Sequence, residues 1–288
     1  MFRVLQTLTM YEEITAITAE PPYVRDAWLD GIQVMMAREQ AGTCSGLYLA
    51  AKGGHNDESH NHNDVGNFIV YADGKPVLID VGVETYTAKT FSRSRYDIWT
   101  MQSQYHNLPT VNGIQQQAGH EFRASDVRYS MTDELVNFSL NLATAYPPNA
   151  GIERWNRQIE FSRGESSHID VIDDCVLKQP GKDVMLTLMT PCEHEISEPG
   201  TIILYVQEEA DVCIDYDQTT LKASSERIEI DDERLRLAWG DHIYRIILNV
   251  NTSIKEAVWK LSMYRPYSGK KHSETTRLRP EQMHSNSG

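Results

Sequence analysis

No run of about 18 apolar residues occurs in this sequence, which excludes a membrane-spanning helix. Positive charge is scarce. Lysine and arginine number 27 against 41 aspartates and glutamates, a formal charge of -14, and that balance disfavours nonspecific attraction to nucleic acid or an anionic membrane. An acidic substrate stays compatible with it, because a local basic cluster overrides a net value. Cysteine is sparse: Cys44, Cys175, Cys192 and Cys213 lie far apart with no C-x-x-C. They suit core thiols or up to two disulfides, and spacing does not choose between these. No Pro/Gly/Ser-rich linker marks a boundary, and no repeat recurs at a fixed period. The opening segment, Met1 to Thr7, reaches Glu12 and Glu13 before an apolar core develops, so no secretory signal is expected.

What is present is mostly period-two alternation in a chain of 288 residues, long enough to bury a substantial core. Residues 3–18 read as a helix, with Leu5, Leu8, Ile14 and Ile17 at roughly helical spacing before Pro21-Pro22 stops it. From Gly31 the pattern predicts strands over 32–37 and 46–51. Residues 67–71 and 77–81 flank Asp73-Gly74, a strong short-range hairpin signal. Residues 92–99 read as a loop leading into a short helix. Further strands are predicted over 127–131, 135–142, 155–162, 168–177, 184–190, 201–206, 228–230, 235–239, 243–250 and 257–261. So many short strands at spacings of about ten residues predict an all-β chain, a large antiparallel β-sandwich with a short N-terminal helix. The expected organisation is a helical segment over 1–25, the sandwich over 26–265, and a mobile, solvated tail over 266–288 that carries Lys270, Lys271, Arg277 and Arg279.

Chemistry concentrates between Gly54 and Gly66, where three histidines, three asparagines and three acids fall within thirteen residues. Such a segment makes a poor core and a good polar site, since each buried polar group needs a partner. If His60 to His62 is extended, both rings lie on one side and could meet a metal or a sugar, while Asn61 and Asn63 point the other way. Two partly exposed histidines in a polar loop are the competing reading. Asp80 ends the apolar run Val77-Leu78-Ile79, where an unpaired carboxylate would be costly. His106 sits in a segment rich in turn formers that leads into another strand. Two histidines and a carboxylate with an open position form a common zinc set, and taking His62, Asp80 and His106 leaves His60 free beside the metal. A straight hairpin would put Asp80 opposite about Asn67, roughly 15 Å from His62. The set therefore closes only if the chain bends near Asp64-Val65-Gly66. Gly54, His60 and His62 also match the opening of the cupin metal signature, but Gly66 and Asn67 stand where its Glu should follow.

Four blocks in order resemble the heparinase II/III family of polysaccharide lyases. They are Ser59-His60-Asn61-His62-Asn63-Asp64-Val65-Gly66-Asn67-Phe68, then Asp73 through Ile79-Asp80-Val81-Gly82, then Thr85-Tyr86-Thr87, then Tyr105-His106-Asn107-Leu108-Pro109-Thr110-Val111-Asn112-Gly113. The resemblance implies the β-sandwich that follows an N-terminal (α/α) toroid, and an activity of β-elimination on a uronic-acid polysaccharide such as heparin or heparan sulfate. It implies a catalytic role for His60 and a zinc, chiefly structural, held by His62, Asp80 and His106. It also implies a periplasmic full-length parent and an anionic polysaccharide as partner. The toroid, which should supply a catalytic tyrosine and a group neutralising the uronate, is not recognisable here, so the chain is expected to hold part of an active site. Tyr86, Tyr96 and Tyr105 lie near the motif, either as sandwich packing or as a sugar-stacking surface. Lys89, Arg93 and Arg95 could meet sulfate or carboxylate groups or form a plain solvated turn. The alternative function is a metal-stabilised carbohydrate-binding or structural β-sandwich without turnover.

Overall fold

In the computed structural model, residues 9–16, 22–197, 200–206 and 211–266 are described. The strands are β1 (Asp26–Leu29), β2 (Val34–Arg38), β3 (Leu47–Lys52), β4 (His55–Asn56), β5 (Phe68–Ala72), β6 (Lys75–Leu78) and β7 (Pro109–Val111). There follow β8 (Gly119–Arg123), β9 (Ser125–Met131), β10 (Leu135–Asn141), β11 (Ile152–Ser162), β12 (His168–Gly181) and β13 (Val184–Thr190). The last are β14 (Glu193–Ser197), β15 (Thr201–Tyr205), β16 (Asp211–Asp215), β17 (Leu221–Glu229), β18 (His242–Val250) and β19 (Ile254–Tyr264). Two α-helices accompany them among the described residues, α1 (Tyr11–Ala16) and α2 (Glu233–Trp239). No helix among the described residues is long and apolar enough to cross a membrane.

The fold is an all-β antiparallel sandwich. One layer is the eight-stranded sheet β14-β15-β16-β19-β12-β11-β10-β9. Facing it are a five-stranded sheet, β1-β2-β3-β5-β6, and a four-stranded sheet, β17-β18-β13-β7. These two meet where Ile79 N–H donates to Met189 O at 2.9 Å and Thr190 Oγ1 donates to Val77 O at 2.6 Å. Strict alternation of buried and half-buried residues along β3 and β5 aims Leu47, Leu49, Ala51, Phe68, Val70 and Ala72 inward. They join Phe138, Trp155, Phe161 and Trp259 from the opposite layer in one continuous apolar core, the period-two logic of a two-layer β domain.

The Asp73-Gly74 hairpin forms as expected: both residues have positive φ, 49° and 74°, and Ala72 pairs with Lys75. Positive φ at both central positions is the turn whose twist suits a hairpin. The segment 235–239 departs from its expectation, being the helix α2 and not a strand. Leu235, Leu237 and Trp239 mimic period two, but the Asp232 carboxylate caps the segment by accepting from Leu235 N–H at 3.0 Å, which favours helix. In the helix Leu237 points to solvent at 87% exposure while Leu235 is buried. Leu235 joins Ile79, Val81, Met189 and Ile243 in a second apolar cluster, so α2 covers the outer side of the four-stranded sheet. Of the helix expected over 3–18, α1 matches the described part; Leu5, Leu8 and Ile17 lie outside the described residues, as do the tail residues Lys270, Lys271, Arg277 and Arg279. Cys44 is exposed and Cys175, Cys192 and Cys213 are buried, and no disulfide joins any two of them.

Candidate metal centre

After β3 the chain leaves the sheet, and 57–67 form a loop and not an extended strand. His60 adopts φ of +62°, so the two rings of the H-x-H do not share one strand face. His60 is exposed and His62 is buried. The chain then turns back at Asp64-Val65-Gly66, where Asn67 N–H donates to Asp64 O at 3.0 Å. This is the bend that closure of the site requires. Gly66 has φ of +85°, and a Cβ there would collide with the Leu142 side chain, so only glycine fits.

Buried amides replace a sheet ladder in holding this loop. Gln116 Oε1 accepts from Val65 N–H at 3.0 Å and from Asn56 Nδ2 at 3.0 Å, while Gln116 Nε2 donates to Val65 O at 2.8 Å. Lys52 pairs with Asp64 at 2.7 Å. Asn63 Nδ2 donates to Gln116 O at 3.3 Å, and Asn61 Nδ2 reaches the Tyr96 hydroxyl at 3.4 Å. Together these bonds satisfy the Asn56 and Gln116 amides and the Asn61 and Asn63 side-chain nitrogens, while Asn61 Oδ1 and Asn63 Oδ1 stay buried without a hydrogen bond.

The turn carries His62 to Asp80. His62 Nδ1 lies 3.9 Å from Asp80 Oδ1, and His106 Nδ1 lies 3.2 Å from Asp80 Oδ2. One donor atom from each of the three residues falls within 4.8 Å of the other two. Asn67 Nδ2 donates to Asp80 Oδ2 at 2.9 Å and Gly82 N–H to Oδ1 at 2.8 Å, fixing the carboxylate plane. Asn107 orders the neighbouring segment: its N–H donates to Asn67 Oδ1 at 2.9 Å, and its side chain bonds Phe68 O and Ile79 O and accepts from Met189 N–H. His106 is fully buried, yet neither ring nitrogen makes a hydrogen bond, the contact with Asp80 being close but badly aligned. Orphaned buried imidazole nitrogens beside a carboxylate fit a cation. Two imidazoles and a carboxylate are donors of the kind that hold zinc.

Electrostatics show that Asp80 draws positive charge, whether a proton on His106 or a metal that displaces it. Desolvation works to raise the Asp80 carboxyl, but the charges of His106 and His62 and the Gly82 amide hold it well below the usual carboxylate range. Burial lowers the His62 pKa in spite of Asp80. Burial acts the same way on His106, but Asp80, and then Asp64, overcome it and raise the value.

His60 stands on the exposed side of the same loop. Its ring is nearly parallel to that of Tyr86, at 6.2 Å and 9°, with the Tyr86 hydroxyl 3.5 Å from His60 Nδ1. Phe91, 70% exposed, meets Tyr86 edge-on, and the Arg234 guanidinium lies 5.4 Å from the Tyr86 ring centre. Of the three basic residues singled out in the sequence, Arg95 faces the loop itself: its Nε and Nη2 donate to Asn61 O at 3.0 and 2.8 Å and its Nη1 to Thr90 O at 2.9 Å. Lys89 and Arg93 are exposed. Tyr105 packs against Trp99 in the second cluster. Sequence reasoning missed the supporting roles of Asn67, Asn107, Gln116 and Arg234; for Asn67 and Asn107 the available signal was an amide directly before an apolar residue, Phe68 and Leu108, whereas Gln116 sits within Gln115-Gln116-Gln117 and gave none.

Among curated proteins none matches this sequence significantly. Solved structures do share the fold. The heparan sulfate lyase HepC from Pedobacter heparinus superposes with a TM-score of 0.69 at 12% identity, over 94% of this chain and 40% of that one. A heparinase III, the BT4657 gene product, gives 0.66 at 14% identity, over 90% of this chain and 39% of that one. The chain thus spans well under half the length of these similar structures. The family described as heparinase II/III-like, C-terminal, matches residues 31–191, which is more than half of the sequence and includes His60, His62, Asp80 and His106; the chain belongs to that family.

Proposed function

We propose that this chain is the C-terminal sandwich of a polysaccharide lyase that cleaves a uronic-acid polysaccharide, of the heparin or heparan sulfate kind, by β-elimination. The observation that carries this reading is the division of labour within one loop: His62 turns inward to Asp80 and His106, while His60, two residues earlier, is presented to solvent beside Tyr86. In elimination a base removes the proton on C5 of the uronate, its carboxylate is neutralised, and the C4 oxygen leaves with a proton. His60 is the group in this chain placed to exchange a proton with a bound sugar. The Tyr86 hydroxyl, at hydrogen-bond range from His60 Nδ1, orients that ring. Exposed Phe91 and Tyr86 offer apolar faces to a sugar, and Lys89 and Arg93 offer charge to its anionic groups.

His62, Asp80 and His106 would hold zinc, which would supply cross-linking of the loop to the strand end and the 103–107 segment. Because the relatives of similar fold are much longer, the full reaction is assigned to the longer protein, whose toroid would add the remaining catalytic groups. The test is to incubate this chain with heparan sulfate, alone and with a separately produced toroid portion, and follow the ultraviolet absorbance of the unsaturated uronate. Product that appears only, or much faster, with the toroid supports the reading. Absence of product from every uronic-acid polysaccharide under both conditions would leave the metal-stabilised binding sandwich as the better account.

A further inference from the structure

Arg157 and Asp173 form an ion pair in the deepest part of the sandwich, each only 2% exposed. They are cross-strand partners on β11 and β12. Arg157 Nε donates to Asp173 Oδ1 at 2.9 Å and Nη2 to Oδ2 at 2.8 Å, a two-point fork, and Trp155 Nε1 also donates to Oδ1 at 2.9 Å. This leaves Arg157 Nη1 pointing away from the carboxylate. It donates to Gly66 O at 3.0 Å and to Asn107 O at 2.7 Å. The guanidinium also lies 5.6 Å from the ring centre of Phe68.

Those two carbonyls locate the function of the pair. Gly66 closes the turn that follows His62, and Asn107 directly follows His106. The two segments are about forty residues apart, and the guanidinium reaches both from the opposite layer of the sandwich. A buried charge is costly unless it is paired and hydrogen-bonded in good geometry; here one rigid planar cation spans both segments that bear imidazoles, and a flexible ammonium could not reproduce that. We propose that Arg157, anchored by Asp173, is a positioning residue that sets the separation of the His62 and His106 segments and thereby the affinity of the centre. The metal part of this inference rests on the reading above; the bracing part does not.

The test is Arg157→Lys, which keeps the charge and loses the fork. The exposed neighbouring pair Arg154–Asp174, altered as Arg154→Lys, is the control. Two signals are read on folded protein: cobalt affinity with the visible spectrum of the bound cobalt, and the imidazole resonances of His62 and His106 in metal-free protein. Loss of a supporting hydrogen bond around a ligand typically costs 10–100-fold in affinity. Arg157→Lys is therefore expected to bind cobalt roughly 10–100-fold more weakly, with an altered spectrum and shifted resonances of both rings, while Arg154→Lys matches wild type. Wild-type affinity and wild-type resonances in folded Arg157→Lys would overturn the proposal. Should Arg157→Lys fail to fold, Arg157→Met combined with Asp173→Asn, which strands no buried charge and leaves Trp155 an acceptor, is judged by the same signals. If the wild-type chain takes up no cobalt or zinc, the metal reading fails by itself. The bracing role is then decided by the resonances: shifted in the variant if Arg157 positions the segments, unshifted if it does not.

Discussion

At the scale of residues, the account separates two histidines two positions apart. His62→Ala is expected to release the metal and lower the melting temperature, by roughly 2–4 °C for each kcal/mol lost in a domain of this size; metal content and thermal unfolding check this. His60→Ala is expected to leave metal content and melting unchanged while abolishing elimination in a protein that includes the toroid, with product absorbance as the check. The ring pKa shifts give a pH signature for the metal-free chain. His106 is raised, so its contribution is fully present below the unfolded value of about 6.5 and is lost as pH rises through its folded value. His62 is lowered, so its contribution is present above about 6.5 and is lost as pH falls through its folded value. Metal-free stability contributed by the two rings should therefore peak near pH 6.5, and His106→Gln should remove the alkaline decline. Melting temperatures measured across pH, with and without chelator, test this sign. His62, Asp80 and His106 were legible because each is a polar group in a place that demands a partner. Arg157 was not legible: in Glu153-Arg154-Trp155-Asn156-Arg157 nothing local tells which guanidinium is buried.

At the scale of elements, the turn at Asp64–Asn67 and the helix α2 show how far local pattern reaches. The need for a bend was readable from strand geometry alone, but the register was not: a bulge shifts β5–β6 to Val70 opposite Leu78, which sets Asp80 level with Phe68, and Asn67 reaches the carboxylate through its side chain. The left-handed His60 was not readable, because the extended reading of His60-Asn61-His62 depends on a ladder that the loop lacks. Gly66→Ala is expected to destabilise by more than about 1 kcal/mol, as a Cβ at positive φ does, and to weaken metal binding; unfolding titrations and metal affinity measure both. For α2 the alternation of Leu235, Leu237 and Trp239 competed with the Asp232 cap, and tertiary burial of one face decided for helix. Asp232→Ala removes the bond to Leu235 N–H and should cost about 1 kcal/mol, whereas Leu237→Ala, at an exposed position, should be near neutral. Denaturant midpoints of the two variants distinguish the helix from the strand that period two suggests.

At the scale of the whole molecule, the two-layer sandwich was legible because inward and outward residues alternate along strands such as β2, β3, β5, β10 and β15. Sheet order was not, since the eight-stranded layer pairs β12 with β19 and β16 with β19 across long sequence separations. The eight-stranded layer carries Arg157, the five-stranded sheet feeds the loop and Asp80, and the segment before β7 brings His106. The site thus assembles only when the layers close on each other, and bound metal should report complete folding. The measurement that tests this most directly is the zinc content of the purified chain after zinc loading and removal of free metal, compared with the triple variant His62→Ala, Asp80→Ala, His106→Ala. The account predicts one equivalent of zinc per chain in the wild type and background in the variant. Equal zinc in the two proteins, or none in the wild type, would contradict it.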